Sequence, residues 1–158
     1  MFREMRRHGQ KLEKDENIRI LESGSTGILA VLGDMGYPYT VPLNYVYADN
    51  KIYFHCARAG HKLDAMRGCD KVSFCVIDMD EVVKETLSTD YRSVVVFGRA
   101  GELQDRGEVI AALRLIGEKY DVNRVNMEKE LADPGLPVVI AIEIEHISGK
   151  QSKHLAGK

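Results

Sequence analysis

Four residues in one short stretch could do chemistry together. In Ile52-Tyr53-Phe54-His55-Cys56-Ala57-Arg58-Ala59-Gly60-His61-Lys62, a histidine adjoins a thiol, and a second histidine and a lysine follow a glycine. His55 beside Cys56 suggests thiol catalysis, but successive strand residues point to opposite faces, so the two cannot meet directly. The same alternation weakens a metal site built from His55, Cys56 and His61, and no zinc-type ligand spacing occurs, so no metal is expected. An anion site suits the pattern better. The apolar and aromatic segment 52–57 has β preference, breaks at Arg58-Ala59-Gly60, and restarts as a helix at His61-Lys62. Free N–H groups and the helix dipole favour negative charge at such a start, and Lys62 adds a full positive charge. The segment matches neither GxGxxG nor a P-loop, so a phosphate held there fits a mononucleotide better than a dinucleotide. A strand-helix connection with ordinary surface charges, Arg58 and Arg67 among them, remains the competing reading.

The elements that must position this stretch follow from hydrophobic pattern and breakers. Residues 15–23 read as a short helix with Ile18 and Leu21 on its apolar side, ended by Gly24. Residues 27–32 are a short apolar run compatible with a buried strand, and 34–38 have turn chemistry. Tyr39 to Tyr47 reads as a second strand. Pro42 inside it donates no ladder hydrogen bond, which assigns that strand to an edge or a bulge. Backbone groups around Val41-Pro42-Leu43-Asn44 could then face a planar heterocycle or nothing at all.

A tight link at 48–51 leads to the third strand, 52–57, and 71–77 reads as a fourth. The acidic stretch 78–90 lacks any period and reads as a surface loop or lid. Tyr91 to Leu103 is a long strand. Asp105 with Glu108 resembles a capping box, starting a helix whose core face is Val109, Leu113, Ile116 and Tyr120. A short helix over 124–131, a stop at Pro134-Gly135-Leu136-Pro137 and a last strand over 138–147 complete the pattern. Six mainly antiparallel strands with few helices predict a mostly β protein, a small closed or split β-barrel.

The chain of 158 residues is expected to form a single domain, with 1–11 and 151–158 as flexible ends. A formal charge of -2 creates no global field for nucleic acid, and the basic N-terminal run (Arg3, Arg6, Arg7, Lys11) has no interleaved aromatics. Three cysteines without a CxxC pair suggest reduced thiols and a cytoplasmic location. No apolar run is long enough to span a membrane, and no signal-peptide core is present.

Taken together, Val41-Pro42-Leu43-Asn44-Tyr45, Ile52-Tyr53-Phe54-His55-Cys56-Ala57 with Gly60-His61-Lys62, Tyr91 to Ala100, and Glu145-His146-Ile147-Ser148-Gly149-Lys150 resemble the pyridoxamine 5′-phosphate oxidase-like FMN-binding proteins. The similarity is greatest to their nitroimidazole-resistance-type branch and runs from about Ile18 to Lys150. It implies an FMN-binding split-barrel homodimer with the cofactor in clefts at the subunit interface. By position, Val41, Pro42, Leu43 and Asn44 would edge the isoalloxazine ring, and Phe54, His55, Cys56 and Ala57 would run along ribityl and ring. His61 and Lys62 would hold the phosphate, Ser93 would meet the pyrimidine edge, and Lys150 would approach late in the chain. The resemblance implies an FMN-dependent oxidoreductase passing electrons from a small-molecule donor to a small electrophilic acceptor such as a nitroaromatic, with His55 as the catalytic candidate. The chain has no Trp to match the closing segment of the pyridoxal-phosphate-forming oxidase, which puts that activity in doubt. The alternatives are a non-catalytic flavin- or haem-holding protein of the same fold and a deazaflavin-using relative.

Overall fold

Seven strands form one antiparallel sheet: β1 (Gly27–Leu32), β2 (Pro38–Leu43), β3 (Val46–Ala48), β4 (Lys51–Cys56), β5 (Lys71–Val83), β6 (Ser88–Glu102) and β7 (Val138–Gln151). Their spatial order is β2-β1-β5-β6-β7-β4-β3. Five α-helices flank it: α1 (Lys14–Ser23), α2 (His61–Gly68), α3 (Arg106–Lys119), α4 (Arg124–Ala132) and α5 (Lys153–Ala156). This is a computed structural model, and it describes residues 1–157.

The two edge strands, β2 and β3, are separated in the chain only by Asn44 and Tyr45. A sheet whose opposite edges are joined by two residues must curl until those edges come close, since the three Cα steps from Leu43 to Val46 reach no further than ~11 Å. β2 nevertheless ladders only with β1, and β3 only with β4, so hydrogen bonding does not close the ring. The result is a split barrel. The single second strand expected over 39–47 is thus two strands, and the expected six become seven. Polar groups of the link leave the ladder for other partners: Asn44 Nδ2 donates to the Ser25 carbonyl at 3.0 Å, and the Tyr45 N–H donates to the Tyr120 hydroxyl at 3.0 Å. Pro42 sits on an edge strand, opposite Ile28 of β1, where its missing N–H costs little.

Inside the curl, Leu29, Ile52, Phe54, Phe74, Val94, Val96 and Ile142 are fully buried. α1 plugs one side with Ile20 and Leu21 rather than the expected Ile18, and the buried Tyr45 hydroxyl donates to the Leu21 carbonyl at 2.7 Å. Outside the curl, a second apolar cluster joins Val109 and Ala112 of α3 to Val139 and Leu136, with Tyr53 of β4 packed against it. α3 begins at Asp105, whose carboxylate accepts the Glu108 N–H at 3.0 Å. α4 begins at Asn123, whose side-chain oxygen accepts from Val125 and Asn126.

The segment 78–90, expected as a loop or lid, is instead the outer part of a β5–β6 hairpin. Met79 pairs with Arg92 and Val83 with Ser88, beyond a bulge between Ile77 and Met79. Acidic residues hid the strand in the sequence, although Asp80 pairs with Tyr91 and Val82 with Thr89, partners that favour β structure. The ends are also ordered differently from expectation. β7 continues to Gln151, α5 follows, and Lys11 bridges to Lys150 while the Leu12 N–H donates to the Gly149 carbonyl.

Tyr120 at the end of α3 holds the split in place, because its hydroxyl accepts from Tyr45 and lies 2.6 Å from the Ser25 carbonyl. Tyr120→Phe leaves the Tyr45 N–H and Ser25 carbonyl without that partner and is expected to cost about 1–3 kcal/mol. A denaturant midpoint at constant slope reads this loss, and an unchanged midpoint would mean that the corner is held by other groups.

Candidate functional site

β4 alternates as a strand with one buried face must. Ile52, Phe54 and Cys56 point into the core, while Tyr53 and His55 point outward. Of the residues expected along a flavin, Phe54 and Cys56 can therefore offer a ligand only their backbone. The pairing of His55 with Cys56 is excluded by this geometry, and burial pushes the Cys56 thiol up, away from thiolate character.

β4 ends at Cys56, and Gly60 opens α2 with φ 134°, a conformation that side-chain-bearing residues rarely adopt. A Cβ there would meet nothing within 4 Å, so the turn faces open space. The Gly60 carbonyl takes the N–H groups of Leu63 and Asp64, leaving those of His61 and Lys62 without an intrahelical acceptor. Lys62 carries no ion pair among the described residues. It lies near enough to His55 and Cys56 for its charge to lower both groups' pKa values. The junction thus presents two free N–H groups, a helix dipole, a glycine opening and an unpaired ammonium.

His61 enters it differently from expectation. Its imidazole stacks on Tyr39 with ring centroids 4.3 Å apart, and Nε2 accepts the Asp34 N–H at 3.3 Å. The side chain thus pins α2 to the β1–β2 turn, and its main-chain N–H remains for an anion. Arg58, expected to be solvated, donates to the Leu136 carbonyl at 2.8 Å and ties the end of β4 to the 133–137 loop. Arg67 is paired too, with Glu102 at 2.7 Å.

Val41, Pro42, Leu43 and Asn44 lie on the free edge of β2 and the link beside it. Val41 and Leu43 turn toward the core, and Pro42 and Asn44 are exposed. Ala57 is exposed just past the strand.

Ser93 and Lys150 are cross-strand partners of each other on β6 and β7. They are not brought to His55 within one chain. His55 of β4 pairs with Val139 of β7, whereas Lys150 lies eleven residues further along, ~36 Å of strand path. Lys150 instead lies over the Tyr91 ring, its Nζ 5.4 Å from the centroid.

Sequence reasoning missed the wall opposite His55. A cavity of about 370 Å³ lies between the outer face of β4, the C-terminal half of α3, α4 and the 133–137 loop, with His55 at its edge. Met127 of α4 reaches Gly117 so closely that a Cβ there would come within 2.5 Å of its sulfur. Glycine at 117 is the one local signal of this close approach of helices, and only its contact partner gives it meaning. Near the C-terminal end of α3, the Lys119 Nζ is buried over the core Tyr45 ring, 3.9 Å from its centroid, and burial draws the amine down to about 8.

The family model for pyridoxamine 5′-phosphate oxidase matches residues 13–151, and the chain belongs to that family. Solved structures of similar fold include a candidate 5-nitroimidazole antibiotic resistance protein from Bacteroides thetaiotaomicron, at 19% identity and TM-score 0.74, covering 89% of this chain and 86% of that one. A FAD-binding protein from Mesorhizobium loti is 27% identical with TM-score 0.65, over 90% of this chain and 95% of that one. A FAD- and haem-binding protein from Mycobacterium smegmatis is 20% identical with TM-score 0.74, over 92% of this chain and 74% of that one. No curated protein matches. No helix among the described residues is long and apolar enough to cross a membrane.

Burial first, and the Lys62 charge second, hold the His55 pKa below its ordinary value, so the ring is a neutral imidazole at pH 7. Lys62→Met removes one of the two causes, and the midpoint should move up toward the free value of about 6.5. The His55 ring-proton titration followed by NMR measures this. A midpoint already at the free value in the wild type would contradict the arrangement.

Proposed function

We propose that this protein binds FMN and acts as an oxidoreductase that reduces a small electrophilic acceptor, a nitroaromatic being the representative case. The observation that carries the reading is the junction of β4 with α2. There the free His61 and Lys62 N–H groups, the open Gly60 turn and the unpaired Lys62 ammonium converge beside an outward-facing histidine at the split. Flavin-binding neighbours of the same fold support it. The lack of a GxGxxG or P-loop motif favours a mononucleotide over FAD.

Bound FMN would supply hydride transfer at its ring. The protein's part is binding and orientation. Lys62 and the first turn of α2 hold the phosphate. The free β2 edge at Val41 to Asn44 presents backbone groups to the ring, and the backbone from Phe54 to Ala57 follows the ribityl chain. His55, neutral at pH 7, offers an N–H to orient the acceptor, a role its lowered pKa favours over proton donation. Ser93 and Lys150 would reach the flavin from a second copy of the chain, so a homodimer with the cofactor between subunits is part of the proposal. A non-catalytic flavin or haem carrier is the second reading, favoured by the haem-binding neighbour and by the free imidazole of His55.

If Lys62 and the helix start grip a phosphate, Lys62→Met should weaken FMN by about 10- to 100-fold, the worth of one charge-assisted hydrogen bond of ~1.5–3 kcal/mol. Riboflavin, which lacks the phosphate, should lose little. Flavin fluorescence quenching titrations measure both, and equal losses for the two ligands would overturn the phosphate assignment.

A further inference from the structure

The cavity beside His55 has a wall chemistry that the flavin reading does not use. Leu113, Ile116, Met127, Leu131 and Leu136 give it apolar sides, and its polar residues are His55 and, at the exposed rim, Glu130 and Asp133. Among the described residues no lysine or arginine lines it. The neighbouring guanidinium groups are committed to backbone: Arg58 donates to the Leu136 carbonyl, and Arg106 to the carbonyls of Leu131 and Asp133. The Asp133 carboxylate accepts the Gly135 N–H, whereas the Glu130 carboxylate has no ion pair or hydrogen-bond partner among the described residues. A volume of about 370 Å³ lies in the range of small-molecule sites, and apolar walls with a few convergent polar groups are their usual chemistry.

We propose that this cavity is a second ligand site, which takes a small flat aromatic molecule carrying a cationic or N–H-donating group. The ring lies against Leu113, Ile116 and Leu131, and the donor group points to Glu130 and Asp133. The alternative, an aromatic carboxylate, would bring a third negative charge beside Glu130 and Asp133, with no lysine or arginine among the described lining residues to offset the repulsion. His55 stands at the cavity edge and on the proposed flavin strand, so the occupant is placed where a reactant would meet the flavin. That last role, and only that role, rests on the flavin reading above.

The test uses the full chain loaded with FMN and three single-ring probes, benzamidine, benzyl alcohol and benzoate, titrated by calorimetry. Benzamidine should bind one per chain and about tenfold tighter than benzoate, as expected for one charge-assisted contact. Leu113→Trp, which fills the cavity from a half-buried position, should abolish benzamidine binding. Glu130→Gln, an exposed change with no effect expected on folding, should weaken benzamidine several-fold and leave benzyl alcohol unaltered. The flavin absorption spectrum should survive both substitutions. Equal affinity for all three probes, or benzamidine binding that ignores both substitutions, overturns the proposal. So does displacement of FMN by benzamidine, which would make the cavity part of the flavin's own site. If the protein takes up no FMN, the flavin reading fails, and the same titrations on the flavin-free chain still decide the cavity's ligand.

Discussion

Two residues, Asn44 and Tyr45, join strands that lie at opposite edges of a seven-stranded sheet, and that short tether is the constraint on which the molecule depends. It forces the sheet to curl, yet the chain at the junction turns its polar groups to Ser25 and Tyr120 instead of completing the ladder. The barrel therefore has a seam. Seams in β structure expose backbone groups that want partners, and proteins usually cover or charge them. Here the seam lies beside the outward face of β4, where His55 stands, and close to the helix start that follows it. The same tether that shapes the barrel thus sets an unsatisfied edge near the glycine turn proposed to take the phosphate.

Charge is placed around this seam with economy. Lys62 has no acidic partner, while Arg58, Arg67 and Arg106 are bound to carbonyls or to Glu102. An unpaired cation at a helix N-terminus works against the dipole unless an anion sits beside it, so its retention there fits a bound phosphate. On the far side of His55 the balance reverses, with carboxylates and apolar walls in the cavity. One histidine thereby divides a cationic region from an anionic one. Its own pKa is lowered by burial and by Lys62, which keeps the ring neutral between them.

Much of this was legible in the sequence because it is local. The strand, glycine and helix of 52–68 announce themselves by alternation, breaker and restart. Pro42 marks an edge strand, and Asp105 marks the start of α3. What stayed hidden depends on partners far along the chain. The interruption at Asn44-Tyr45 has no breaker of its own and exists because Tyr120, 75 positions away, takes the Tyr45 N–H. The β5–β6 hairpin was masked by acidic residues such as Asp80, whose pairing with Tyr91 no local pattern reveals. His61 was placed correctly at the helix start, but its imidazole is held by Tyr39 and Asp34, which no spacing reveals. The cavity draws on residues from 55 to 137, and its only local sign, Gly117, reads as an ordinary helix weakness until Met127 is set against it.

The central claim is that the seam and the helix start next to it hold a flavin mononucleotide. Its most direct measurement is the absorption spectrum of the freshly purified protein, followed by mass spectrometry of whatever small molecule is released on denaturation. The account predicts an oxidised-flavin spectrum and a released molecule with the mass of riboflavin 5′-phosphate, in a ratio near one per chain. A colourless protein that ignores added FMN, or a spectrum dominated by a haem Soret band, would contradict it.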